Sequence, residues 1–314
     1  MKLNRRESLR RGGAALAATG TIALGGCADA LRGGDSVDVA SMQWSEARLL
    51  GYMGYEVLDA NTDLEVNDEI GLGGARQCFE AVSNGEVDFY HLYTGGAWAT
   101  IPPQHDEVIA DPDELYERTR AEMEEEHGLQ YLRPASYNNT YGIGANPQWV
   151  EETGIETMSG LAEHVTEGNT DLTVVLGSEF QERSDGWPGL VEHYGFEDRV
   201  DELDTRSVSA DLTYEIVGQG EAEIGMVFTT NPNIEQFDLI VLEDDEEFFL
   251  PYNPAPLVDG ESLEEHPEME EELNAVSDSL TSEEQVIELN VRIAVEEESA
   301  QSVARDHLDE NGLI

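Results

Sequence analysis

GGARQCFEAVSNGEVDFYHLYTGGA, residues 73–97, is the stretch from which the fold is read. The paired glycines at 73 and 74 open a segment with helical apolar spacing, expected to run to about Ser83. Cys78 falls inside that pattern and reads as a small core hydrophobe. Residues 87–90 then read as a strand that ends in a Tyr93-Thr94-Gly95-Gly96 loop. A helix, a strand and a glycine loop in immediate succession imply an α/β protein.

Working outward, residues 37–40 read as a short strand, 45–55 as an amphipathic helix and 57–64 as a further strand. An acidic helix with an aspartate cap is expected over 113–127. From Tyr141 the alternation resumes, with strands at 141–145 and 172–176, helices near 147–153 and 159–164, and further β/α units through Leu242. Pro251, Pro254 and Pro256 mark a crossing segment, and 261–312 is mostly acidic helix. No repeat of fixed period and no low-complexity linker follows residue 36. Two successive α/β halves and a helical tail suggest two lobes around a cleft, where small ligands bind.

Of 314 residues, 68 are acidic and 16 basic, a formal net charge of −52, which argues against a nucleic-acid partner. The acidic residues are spread through segments with regular apolar periodicity, as on a solvated surface and not a disordered tail. Self-repulsion on this scale disfavours a compact state at low ionic strength, and molar salt, with a Debye length of about 3 Å, silences it. The expected setting is therefore a salt-adapted cell. The only lysine is Lys2, so every later cation is an arginine.

Arg5 and Arg6 precede an Ala/Gly/Leu-rich stretch at 12–26 that is too short and glycine-rich to span a bilayer comfortably. The pair looks like a twin-arginine export signal, and Leu24-Gly25-Gly26-Cys27 resembles a lipobox. The expected organisation is a signal peptide over 1–26, lipidation at Cys27 and a flexible tether over 27–36. The plainer reading of Cys27 is a small residue beside a cleavage site.

Four motifs in order, the opening stretch at 73–97, YNNTYGIGA at 137–145, RSDGWPGL at 183–190 and DLIVLEDDEEFFLPYNPAPLV at 238–258, resemble the substrate-binding proteins of glycine betaine, choline and carnitine ABC transporters. The resemblance runs from about residue 37 to the end. It implies a type II periplasmic-binding fold, two α/β lobes joined by two crossovers, with lobe one at 37–138 plus 253–314 and lobe two at 139–252.

A trimethylammonium group donates no conventional hydrogen bond, so it is recognised by shape and by the negative faces of aromatic rings. The family's cage tyrosines fall on Tyr93, Tyr141, Phe228 and Tyr252, with phenylalanine replacing tyrosine at 228. Arg183 matches the family's carboxylate-anchoring arginine, whose planar fork suits a bidentate contact; a surface ion pair is its plainer reading. Gln43 is the preferred second carboxylate donor, Asn139 and Thr94 are further polar contacts, and Trp44 borders the cleft. Gly96 stands where many relatives carry threonine, which removes a hydroxyl from the expected site. Asn138-Asn139-Thr140 also matches a glycosylation sequon, but a glycan there would crowd the cleft.

The histidines show no metal-ligand spacing, and there is no nucleophile elbow or phosphate-cradling loop. No cofactor and no metal are expected. The leading expectation is a monomeric, lipid-anchored protein that hands a quaternary-ammonium solute to an ABC permease. The alternative partner is a taxis transducer, and an enzyme acting on methylated amines is the remaining reading.

Overall fold

A computed structural model describes residues 36–314, so Arg5, Arg6, Cys27 and nearly all of the expected tether lie outside the described residues. The first run of elements is β1 (Ser36–Met42), α1 (Ser45–Asn61), β2 (Glu65–Gly73), α2 (Ala75–Ser83), β3 (Phe89–Tyr93), α3 (Thr94–Thr100), α4 (Pro112–His127) and β4 (Leu129–Tyr131). The second is β5 (Tyr141–Ala145), α5 (Pro147–Thr153), α6 (Met158–Thr166), β6 (Thr173–Gly177), α7 (Ser178–Glu182), α8 (Trp187–His193), β7 (Asp204–Val208), α9 (Thr213–Gly218), β8 (Ile224–Phe228), α10 (Asn233–Gln236) and β9 (Ile240–Val241). The chain returns through β10 (Pro254–Asp259) and ends in α11 (Gly260–Glu265), α12 (Glu268–Ser279), α13 (Glu283–Ala294) and α14 (Ala300–Glu310).

These strands form two five-stranded sheets, ordered β2-β1-β3-β10-β4 and β7-β6-β8-β5-β9. In each, parallel strands are joined by one antiparallel return, β10 beside β3 in the first and β5 beside β8 in the second. The backbone passes between the sheets after β4 and again after β9. This is the mixed α/β, two-sheet architecture of a type II periplasmic-binding fold.

Local chemistry accounts for the main elements. In α1, Leu49, Leu50, Met53 and Val57 follow the helical period and are at most 2 % exposed, so one face is committed to the core. Pro112 opens α4, Asp111 accepts the Glu114 amide at 2.9 Å, and Gly128, at φ 70°, ends the helix in the left-handed region. All five residues of β3 are buried, as expected for a strand covered on both faces. Cys78 is a free, fully buried thiol, pushed up to about 12 by desolvation, and so behaves as an inert hydrophobe.

Three expectations need correction. Residues 57–64 do not form a strand: Val57 and Leu58 extend the buried face of α1, which ends at Asn61, and the strand is β2. Sequence EVNDEIGLG at an exposed sheet edge lacks the apolar alternation that would have marked β2. Tyr93-Thr94-Gly95-Gly96 is not a loop but the end of β3 running directly into α3. The crossing segment also continues into a central strand, β10, despite Pro254 and Pro256. Their carbonyls accept the amides of Ala135 and Leu132 at 2.9 Å each, and the N–H groups they lack belong to that same edge, away from β3.

Candidate functional site

The carboxyl ends of β3 and β8 point into the space between the sheets, the usual ligand position in open α/β folds. Tyr93 ends β3, Phe228 ends β8, and Tyr141 starts β5 directly opposite Phe228 in the antiparallel ladder. Trp44 caps the start of α1, and Tyr252 lies two residues before β10. Their rings converge: Trp44 stacks on Phe228 at 5.9 Å and lies 6.4 Å from Tyr93, while Tyr141 is 5.0 Å from Phe228 and meets Tyr252 edge-on at 5.4 Å. Both sheets thus contribute walls to one small cavity, with Met42, Ala75, Leu92, Gly96, Asn139 and Arg183 completing its lining. Its void of about 20 Å³ holds roughly one water, so a larger solute is admitted only when the two sets of rings part.

The cleft widens on either side of these rings. One cavity of about 410 Å³ is bordered by Gln43, Glu179 and Asp211, and another of about 470 Å³ by His105, Asp106, Glu192 and His193. Both mouths carry carboxylates, which favours the approach of a cation. Glu179, in α7, reaches across to Gly74, where an added Cβ would sit 1.9 Å from its Oε1. A side chain at position 74 would require the end of Glu179 to swing aside.

Arg183, expected to grip a ligand carboxylate with its fork, has that fork occupied. Its Nε and Nη2 bond both oxygens of Asp185, with Nε–Oδ1 at 2.8 Å. The remaining bonds run from Nη2 to the Tyr252 hydroxyl at 3.1 Å and from Nη1 to that of Tyr141 at 3.4 Å; Tyr252 in turn donates to Asp185. In this arrangement the arginine orients two phenols, and a bidentate ligand contact requires it to release Asp185. Desolvation pushes the Tyr141 phenol up to about 12, against the opposing effect of Arg183, so it stays protonated at neutral pH.

The other predicted polar contacts divide. Asn139 lines the ring cavity, although its side-chain amide already donates to Glu46 at 2.9 Å. Gln43 is exposed and borders the flanking cavity of about 410 Å³, outside the ring cavity. Thr94 is also outside it: wholly buried, its hydroxyl donates to the Pro251 carbonyl at 3.0 Å and accepts the Asn253 amide at 3.1 Å, tying β3 to the returning crossover. A threonine at the start of a helix beside a crossing strand serves the backbone, which the glycine-loop reading concealed.

Glu46, in the first turn of α1, is the residue that the sequence reading missed. It is 5 % exposed and accepts five hydrogen bonds. Tyr93 at 2.7 Å, Tyr137 at 2.9 Å and Asn139 at 2.9 Å donate to Oε1; Thr230 at 2.6 Å and Asn290 at 2.9 Å donate to Oε2. Burial, together with this carboxylate, pushes the Tyr93 and Tyr137 phenols well above their ordinary range and keeps them as donors. One glutamate among 68 acidic residues carries no signal of its own.

Comparison with known proteins gives the family. Residues 35–310 match the family described as the substrate binding domain of ABC-type glycine betaine transport system. The chemotactic signal transduction system substrate-binding protein CosB of Halobacterium salinarum is 34% identical over 289 residues, 89% of this chain and 85% of that protein. The glycine-betaine-binding protein of Pseudomonas aeruginosa is 29% identical over 306 residues, 95% and 94% of the two chains. The apo structure of YehZ from Escherichia coli superposes with a TM-score of 0.64 at 28% identity, covering 89% of this chain and 99% of that one. The chain therefore belongs to the family of substrate-binding domains of ABC-type glycine betaine transport systems.

Proposed function

We propose that this protein captures a small quaternary-ammonium solute, glycine betaine or a close relative, and delivers it to an ABC permease at the outer face of the cell membrane. The observation that carries this reading is the convergence of Trp44, Tyr93, Tyr141, Phe228 and Tyr252 on one cavity whose single cationic lining residue, Arg183, is already paired with Asp185. Each well-placed ring contributes roughly 0.5–2 kcal/mol to a desolvated cation. Because the rings come from both sheets, the cage is complete only when the lobes approach, and lobe closure then distinguishes loaded from empty protein. Export through Arg5 and Arg6 and anchoring through Cys27 fit the same role.

Calorimetric titration with glycine betaine, choline, carnitine and proline tests this. Saturable one-to-one binding of at least one quaternary ammonium compound, with proline silent, is the expected result. Folded protein that binds none of the three contradicts the reading.

A second partner is supported by the similarity to CosB, named for chemotactic signal transduction. The same loaded form would then dock on a taxis transducer. Deleting the gene separates the two: loss of solute uptake indicates a permease, and loss of attraction with uptake intact indicates a transducer.

A further inference from the structure

Glu46 is a buried charge whose five hydrogen-bond donors are all neutral side chains. Burying a carboxylate is costly unless hydrogen bonds and a counter-charge offset it; here the hydrogen bonds and the amino-terminal end of α1 offset it, and no arginine pairs with Glu46 among the described residues. The arginine that lines the cavity, Arg183, spends its fork on Asp185. That pair is neutral as a unit, so the Glu46 carboxylate, offset only in part by the amino-terminal end of α1, remains a net negative charge behind the ring cavity.

Tyr93 links this charge to the cavity. Its hydroxyl donates to Oε1 at 2.7 Å while its ring forms part of the wall. A phenol that donates to a carboxylate is polarised toward the phenolate, which makes its π face more negative. Thr230, from the segment after β8, and Asn290, on α13, bond the other oxygen, so the carboxylate is held from both sheets at once.

We infer that Glu46 is a positioning residue for charge selection: its carboxylate sets a fixed negative potential behind the rings and polarises Tyr93. The cavity thereby holds a trimethylammonium head in preference to a neutral group of the same shape. This inference rests on the quaternary-ammonium reading above and assigns to one residue the discrimination that rings alone supply weakly.

The test compares ligands that differ only in carbon for nitrogen: choline against 3,3-dimethylbutan-1-ol, and glycine betaine against 3,3-dimethylbutanoate. Affinities are measured by calorimetry in molar KCl, with displacement for the weaker member. Wild-type protein is expected to favour the ammonium member of a pair by about 100-fold or more. Glu46→Gln should shrink that ratio about tenfold or more in both pairs while changing the affinity for the neutral 3,3-dimethylbutan-1-ol less than about threefold, and Glu46→Asp, which keeps the charge, should retain most of the ratio. If Glu46→Gln does not fold, Asn290→Lys offers Oε2 a cation with the carboxylate intact and should shrink the ratio in the same way. A wild type without ammonium preference, or variants that weaken both members equally, would overturn the inference and leave Glu46 as a brace. Wild-type protein that binds neither member of either pair would instead bring down the underlying ligand reading.

Discussion

Arg183 and Asp185 form a largely buried pair, with side chains 15 % and 8 % exposed, that holds the Tyr141 and Tyr252 phenols in place. Removing one partner strands the other, which typically costs about 3–5 kcal/mol. Arg183→Ala is therefore expected to lower thermal stability markedly, whereas the double variant Arg183→Met/Asp185→Leu should recover most of it; equal stability of the single variant and wild type would contradict the pairing. The adjacent glycines make opposite predictions. At Gly95 an added Cβ meets Tyr252 ring carbons at 2.5 and 2.7 Å and the Pro251 carbonyl at 2.8 Å, so Gly95→Ala should displace a cage ring and weaken ligand binding about tenfold or more. At Gly96 the contacts are 3.5 Å to Tyr252 and 3.6 Å to Arg183 Nη2, so Gly96→Ser should fold normally and place a hydroxyl beside the guanidinium. Parallel titrations of the two variants check both outcomes. At this scale the aromatic wall was legible in the sequence because its rings occupy recognisable motifs at strand ends. The polar contacts were less so: Thr94 is taken by the backbone, and Glu46 is defined only by partners scattered from Tyr93 to Asn290.

Among the elements, those with a strong local period were readable and those governed by their neighbours were not. The helical stripe of α1 and the Asp111 cap of α4 are written in short stretches of sequence. β2 is polar because it lies at an edge, and β10 tolerates prolines because its other edge faces the 132–135 segment; both facts belong to the sheet. The central strand β3 carries a further consequence in His91, 3 % exposed, with neither ring nitrogen hydrogen-bonded among the described residues. Desolvation pushes its imidazolium down to about 3. In the unfolded chain the ring titrates near pH 6.5, so between about 6.5 and 3 the unfolded state takes up a proton that the folded state refuses. His91 therefore costs no stability above about pH 6.5 and removes up to about 1.4 kcal/mol per pH unit below it. Subtracting the stability profile of His91→Phe from that of wild type should isolate this slope, and parallel profiles from pH 6.5 to 4 would contradict it.

For the whole molecule, a formal charge of −52 on a well-packed two-sheet architecture makes ionic strength a folding variable. Raising KCl from about 0.1 to 2 M shortens the Debye length from about 10 Å to below 3 Å, and the melting temperature is expected to rise on the order of 10 °C. A melting temperature independent of salt would contradict the role given to surface repulsion. The two-lobe plan was legible at this scale because each half repeats the β/α alternation. The closeness of the lobes was not, since it depends on contacts such as Gly74 against Glu179 and Thr230 against Glu46, between residues far apart in sequence.

The central claim is that rings from both sheets hold a quaternary ammonium group, and Tyr141, in contact with Phe228 at 5.0 Å, Tyr252 at 5.4 Å and Phe180 at 4.8 Å, stands at their centre. Its most direct test is calorimetric titration of glycine betaine into wild type and Tyr141→Ala, both shown to be folded in molar KCl. The account predicts saturable one-to-one binding by wild type and a loss of about 30-fold or more in the variant, the equivalent of roughly 2 kcal/mol from one desolvated ring. Equal affinity in the two proteins would contradict it.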